Sequence, residues 1–225
     1  MNTIKKILSA LPIALLLTIL AHYLALFKVT FIFGSISSAF SAINLVGPLM
    51  GMWFGSVVGG LFLVLNAIRY LLKFGSIPLR ALATVYHVPT LFASAYWSPW
   101  MKTVRLALPL LCMVFFIAHP EGRQAFPYAL YWLIPVALYW KKERNIFLDC
   151  LGSTFIAHAV GSIIWLYTGP MTAAQWMALI PLVCIERLTF ATSMALVSVA
   201  VSWVQRYVRN SHTISFLSSL PLISK

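Results

Sequence analysis

The chain has 225 residues, of which 61% are hydrophobic and 9% charged, with a formal net charge of +12. A soluble globular domain carries about 25% charged residues, so 20 Asp, Glu, Lys and Arg side chains are too few to cover a water-facing surface of ordinary size. The basic residues stand in small groups at the ends of apolar runs, which fits orientation in a membrane and contact with anionic lipid rather than nucleic-acid binding.

Lys5 and Lys6 precede an apolar run from Ile7 to Phe27. The run is too long for a signal-peptide core and lacks a small-residue cleavage site, so it reads as a first membrane helix with its amino end in the cytoplasm. Ala10 and Ala14 form a small-xxx-small pair on it. Lys28–Phe40 is apolar but rich in Ser, Thr and β-branched residues around Gly34. This composition predicts an extended or re-entrant segment, placed to act as a lid if it folds over the bundle.

Ser41–Lys73 carries Gly47, Gly51, Gly55 and Gly59 at every fourth position, with Gly60 beside the last. At helical pitch these glycines make a flat seam against which another backbone packs closely. As one helix the run would be roughly 50 Å long against a hydrocarbon core of about 30 Å. It is therefore either one strongly tilted helix or a tight pair turning back near Phe54–Gly55, and the central density of glycine favours the pair.

Gly75–Arg80 contains Pro78 and interrupts the helix. Ala81–Trp97, with His87 and Pro89, is read as a span or as a kinked or interfacial helix. A short span follows over Leu106–Ala118, with its first turn at Thr103, and then the polar connection His119–Gln124. Phe126–Trp140 is an aromatic-rich helix whose Tyr128, Tyr131, Trp132, Tyr139 and Trp140 are expected to anchor it at the interface. Lys141–Arg144 is the strongest cytoplasmic signal. Ile146–Tyr167 is the next span, and Ala173–Tyr207 an apolar helix too long for the bilayer. Residues 1–209 are thus expected to be one transmembrane domain and 210–225 a loose cytoplasmic tail. Eight crossings would put Lys102/Arg105, Lys141–Arg144 and Arg206/Arg209 in the cytoplasm with both termini, and Arg69, Lys73 and Arg80 outside. A count of seven would flip the later clusters. The fold class expected is an all-α integral membrane bundle of six to eight segments in the cell's inner (plasma) membrane.

Glu186 falls about twelve residues into the last apolar run, near mid-depth, where a carboxylate faces a cavity or a partner. It serves solute or ion recognition, a structural ion pair with a second helix, or a helix break at an interface. Its neighbour Arg187 projects about 100° away, so the two need not pair with each other. Thr154, His158 and Trp165 share one side of a helix with Gly161 or Ser162, a face on which a flat ring would stack. A histidine satisfied by a neighbouring helix would look the same. Asn66, with Arg69 and Tyr70, forms a shallower set. Metal-ligand spacing, HExxH, GxSxG and a phosphate-cradling GxxxxGK[ST] are all absent from the sequence. The three cysteines, Cys112, Cys150 and Cys184, are widely spaced packing residues. The chain therefore reads as a non-enzyme without cofactor or metal.

The order of a helix bearing Ala10/Ala14, then Gly34-Ser-Ile-Ser-Ser-Ala-Phe-Ser-Ala-Ile, Gly47-Pro-Leu-Met-Gly51 and Phe54-Gly55-Ser-Val-Val-Gly59-Gly60 resembles the substrate-binding (S) components of energy-coupling factor transporters, which import vitamins and related micronutrients. The likeness covers about residues 8–72 and is topological beyond. It implies a six-helix bundle that binds its solute tightly and works with a transmembrane coupling protein and two ATPases. Ala10 and Ala14 would meet the coupling protein. The loop at about Phe33–Ser38, including Ser37, would gate the site, and His158 and Glu186 would lie near the solute. Gly75–Met101 departs from the family pattern by adding one or two segments. Two other functions fit the residues: a stand-alone ion- or proton-coupled secondary transporter with Glu186 as the ion site, and a membrane assembly protein whose glycine seam holds a partner.

Overall fold

The computed structural model describes residues 15, 19, 23, 28–31, 39–41, 43–75, 88–98, 102–143 and 145–210. Ala10, Ala14 and Ser37 lie outside these, as do His87 and the tail from 211. Lys28–Phe31 (β1) and Ala39–Ser41 (β2) pair antiparallel, with Thr30 opposite Phe40 and Phe31 opposite Ala39. The stretch expected to be extended or re-entrant is thus extended at both described ends, and the ribbon is the one departure from helix among the described elements.

The remaining elements are α-helical, apart from one 3-10 turn. They are α1 (Ile43–Phe54), α2 (Ser56–Phe74), α3 (Val88–Ala95), α4 (Val104–Ala118), α5 (Pro120–Gln124), α6 (Phe126–Ala129), the 3-10 turn Leu130–Trp132, α7 (Leu133–Tyr139), α8 (Ile146–Thr168) and α9 (Ala173–Asn210). Two of them, α8 and the Ala173–Val204 portion of α9, are long and apolar enough to cross a membrane. Ser56–Arg69, Val104–Ala118 and Phe126–Tyr139 are shorter apolar helical stretches.

The glycine-rich run breaks at Gly55, whose φ of 78° and ψ of 172° no L residue adopts without strain. Both halves grip the same short helix. A Cβ on Gly47 would come within 2.5 Å of Thr90, one on Gly51 would fall inside the Ser94 backbone, and one on Gly59 would meet the Ser94 hydroxyl. The partner of the seam is therefore α3, whose Thr90 and Ser94 stand one turn apart, as Gly47 and Gly51 do. On its other side α3 meets α8, where Ser153 Oγ donates to the Ala93 carbonyl at 2.8 Å and Gly152 accommodates Tyr96. Eight residues rise only about 12 Å, so the described helix α3 is by itself shorter than a membrane crossing.

From α4 onward the helices run back and forth. Lys102 and Arg105 at the start of α4 line one cavity with Lys141 and Lys142 after α7 and Asn145 before α8. At the opposite end Glu121 of α5 accepts a bond from the Ala173 N–H at 2.6 Å, capping α9. There also the Tyr167 hydroxyl donates to the Phe115 carbonyl at 2.9 Å. The core between these ends is aromatic. Phe116 stacks on Tyr128 at 5.5 Å and meets Trp132 and Trp176 edge-on, each at 5.3 Å.

This core corrects one expectation. Tyr128 and Trp132 are 2% and 0% exposed, so they are core residues and not interface anchors, whereas Trp140 is 62% exposed. They stand one helical turn apart on the inward face, from which Trp140, at i+8 from Trp132, points away.

Candidate functional site

Helix α8 buries Thr154, His158 and Ser162, at i, i+4 and i+8, along one face. Thr154 Oγ1 donates back to the Leu151 carbonyl at 2.9 Å. His158 meets two residues from the α6–α7 segment. Trp132 Nε1 donates to His158 Nδ1 at 3.1 Å, and the Tyr128 hydroxyl lies 2.7 Å from Nε2 and 3.2 Å from Ser162 Oγ. An indole N–H only donates, so Nδ1 is the bare nitrogen of the ring. The proton of a neutral imidazole then sits on Nε2 and is donated to Tyr128, which leaves the tyrosine proton for Ser162. One directed chain results: Trp132, His158, Tyr128, Ser162.

Helix α9 brings Glu186 and Arg187, 2% and 6% exposed, against this chain. Contrary to the expectation that they need not pair, Arg187 Nη2 meets Glu186 Oε2 at 3.5 Å. The flexible arginine stem bridges the angle between adjacent helical positions, and the guanidinium also lies 4.9 Å over the Phe190 ring. Arg187 is within electrostatic reach of both Tyr128 and His158, and Glu186 of Tyr128. The buried polar groups of α6, α8 and α9 thus form one centre inside an apolar bundle. Trp176 closes one side, 4.9 Å from the Tyr128 ring, and its buried Nε1 has no hydrogen-bond partner among the described residues.

Trp165 is half-buried near the Gly169 end of α8, where Gly169 packs on it. Asn66 lies on α2, which packs on α1 and α3; its side chain is outside the described residues. The structure therefore brings His158, Thr154 and Glu186 to adjoining helices. It joins them to Ser162, named with that face in the sequence, and adds Tyr128, Trp132 and Trp176, which the sequence had placed at the interface or left without a role. Among the described residues no group of three or more His, Cys, Asp or Glu side chains is arranged to hold a metal ion.

No family model, no curated protein and no solved structure matches the chain.

Proposed function

We propose that this chain is a multi-pass membrane protein that binds a small aromatic or heterocyclic solute at the polar centre of α6, α8 and α9. In this reading it is the substrate-binding component of an uptake system energised by a partner ATPase complex. The observation that carries the proposal is the burial of Glu186 and Arg187 together beside the Tyr128–His158 chain. Charged groups at that depth in an apolar helix are costly and are kept where something is bound or moved. The surroundings fit a bilayer, since the outward residues Leu111, Val114, Ile185, Leu196 and Trp203 are all more than half exposed. Trp176, with a buried donor to spare, and Tyr128 supply the aromatic walls that a flat solute needs. The coupling protein and ATPases come from the resemblance, with Ala10 and Ala14 as the contact.

The test is purification in mild detergent with mass spectrometry of retained proteins and small molecules. A retained solute whose binding falls at least about tenfold, ~1.4 kcal/mol, in Glu186→Gln supports the site. Co-purifying ATPase and coupling subunits that are lost in Ala10→Trp or Ala14→Trp support the energy source. A monomer or homodimer with no solute and no ATPase would sink the proposal. Solute binding in detergent that depends on sodium ions or on proton concentration would instead favour the secondary transporter with Glu186 as its ion site.

A further inference from the structure

A second feature lies away from that centre, at the bundle end where α4 begins, α7 ends and α8 begins. A cavity of about 280 Å³ is lined there by Lys102, Arg105, Lys141 and Lys142, with Glu143 and Asp149 as its carboxylates. Four cations against two anions leave it net positive. Two of the cations are fixed by their neighbours. Arg105 Nε donates to the Tyr96 carbonyl at 2.6 Å with its guanidinium 4.4 Å over the Tyr96 ring, and the Lys102 ammonium lies 5.6 Å over the Tyr139 ring. Lys141 and Lys142 are exposed and reach the cavity from the turn after α7. The remaining wall includes Trp97, Leu138 and Leu148, so the cavity has an ionic face and an apolar one.

Cations from two separate chain segments, Lys102 and Arg105 at the start of α4 and Lys141 and Lys142 after α7, around one hollow are more than the scattered end charges that orient a helix. We propose that this cavity is a binding site for a phosphate group, supplied by an anionic phospholipid headgroup or by a free phosphate. Basic pockets between helices at a membrane face take lipid phosphates in this way. The apolar face matches the start of a lipid's acyl region and gives the headgroup the advantage over the free anion. The site is independent of solute binding at Glu186.

The experiment is native mass spectrometry of detergent-purified full-length protein titrated with phosphatidylglycerol, phosphatidylcholine or inorganic phosphate. The wild type is compared with Lys102→Gln/Lys141→Gln/Lys142→Gln and with the charge-matched control Arg69→Gln/Arg206→Gln/Arg209→Gln. Each cation near such a surface is worth roughly fivefold in affinity. The lysine triple variant is therefore expected to bind phosphatidylglycerol on the order of a hundredfold more weakly, while the control binds as the wild type does. Millimolar inorganic phosphate that binds only when the lysines are present, and displaces the lipid, would assign the site to the free anion. Equal binding of phosphatidylcholine, or equal losses in the lysine triple and the control, would overturn the proposal. All three substituted lysines are exposed, and matching circular dichroism and melting of the lipid-free proteins separates lost binding from lost fold.

Discussion

Trp132 Nε1 stands 3.1 Å from His158 Nδ1, and because indole can only donate, it fixes the tautomer of the buried histidine. His158 is then a neutral ring with its proton on Nε2, facing Tyr128 at 2.7 Å. Trp132→Phe removes that constraint while keeping an aromatic ring in the core. The expected outcome is a mixed tautomer signal in ¹⁵N NMR of His158, where the wild type shows one species, and a stability loss of about 1–3 kcal/mol from the unsatisfied Nδ1. A single unchanged tautomer in the variant would show that another donor sets the ring.

The glycine seam predicts a sharp contrast between neighbouring positions. An added methyl at Gly51 collides with the Ser94 backbone, which cannot yield without moving α3, whereas one at Gly60 meets nothing within 4 Å. Gly51→Ala is expected to destabilise by at least about 3 kcal/mol, the upper range for overpacking. Gly60→Ala should be neutral or stabilising by about 0.5–1 kcal/mol, since it lowers the entropy of the unfolded chain in a helix interior. Thermal melts in detergent read both. Equal effects would mean that α3 is not held by this seam.

Glu186 and Arg187 should behave as one unit. Removing either charge strands the other in a buried site, at a cost of about 3–5 kcal/mol, while removing both avoids that penalty. Glu186→Gln/Arg187→Gln is therefore expected to be more stable than either single variant, which requires a coupling energy in a double-mutant cycle larger than either single loss, more than about 3 kcal/mol. Additive losses would place their principal partners elsewhere. Solute binding supplies the second readout, because a purely structural pair would let the double variant bind as well as the wild type.

Much of this architecture is legible in the sequence where a single periodicity controls it. The joint at Gly55 follows from glycine density, and the uninterrupted length of α9 from its apolar run. The inward turn of Tyr128 and Trp132 was harder to see, because an aromatic-rich helix near a basic cluster also fits an interface belt. Their role depends on His158, 30 and 26 residues away, and such long-range pairing leaves no local pattern. The same holds for α3. Its Thr90 and Ser94 look like a polar interruption of a weak span until the glycines of α1 and α2 are set against them. Of the candidate site, the residue types on α8 and α9 were readable, but not the directed chain that joins them to α6.

Labelling can read whether the last helices cross a membrane and in which direction. Lys142 lines the cavity at one end of the bundle, and Gln124 closes α5 at the other, where Glu121 caps α9. Between them α4 contributes 15 residues, ~22 Å, and the α6–α7 segment returns over a comparable length. These helices are shorter than an average hydrocarbon core of about 30 Å, and would cross only with their flanking turns at the headgroup level. In a background with Cys112, Cys150 and Cys184 replaced by alanine, Gln124→Cys and Lys142→Cys are expected to react with an impermeant maleimide from opposite faces of sealed vesicles. The positive-inside bias predicts that Lys142, among its paired cations, reacts from the cytoplasmic face. Labelling of both from one face would mean that the α4–α7 hairpin dips into the membrane without crossing it, leaving α8 and α9 as the crossing pair in this half of the chain. Labelling from opposite faces with Lys142 outside would keep the hairpin and invert the bundle, as a count of seven crossings with a cytoplasmic amino end requires.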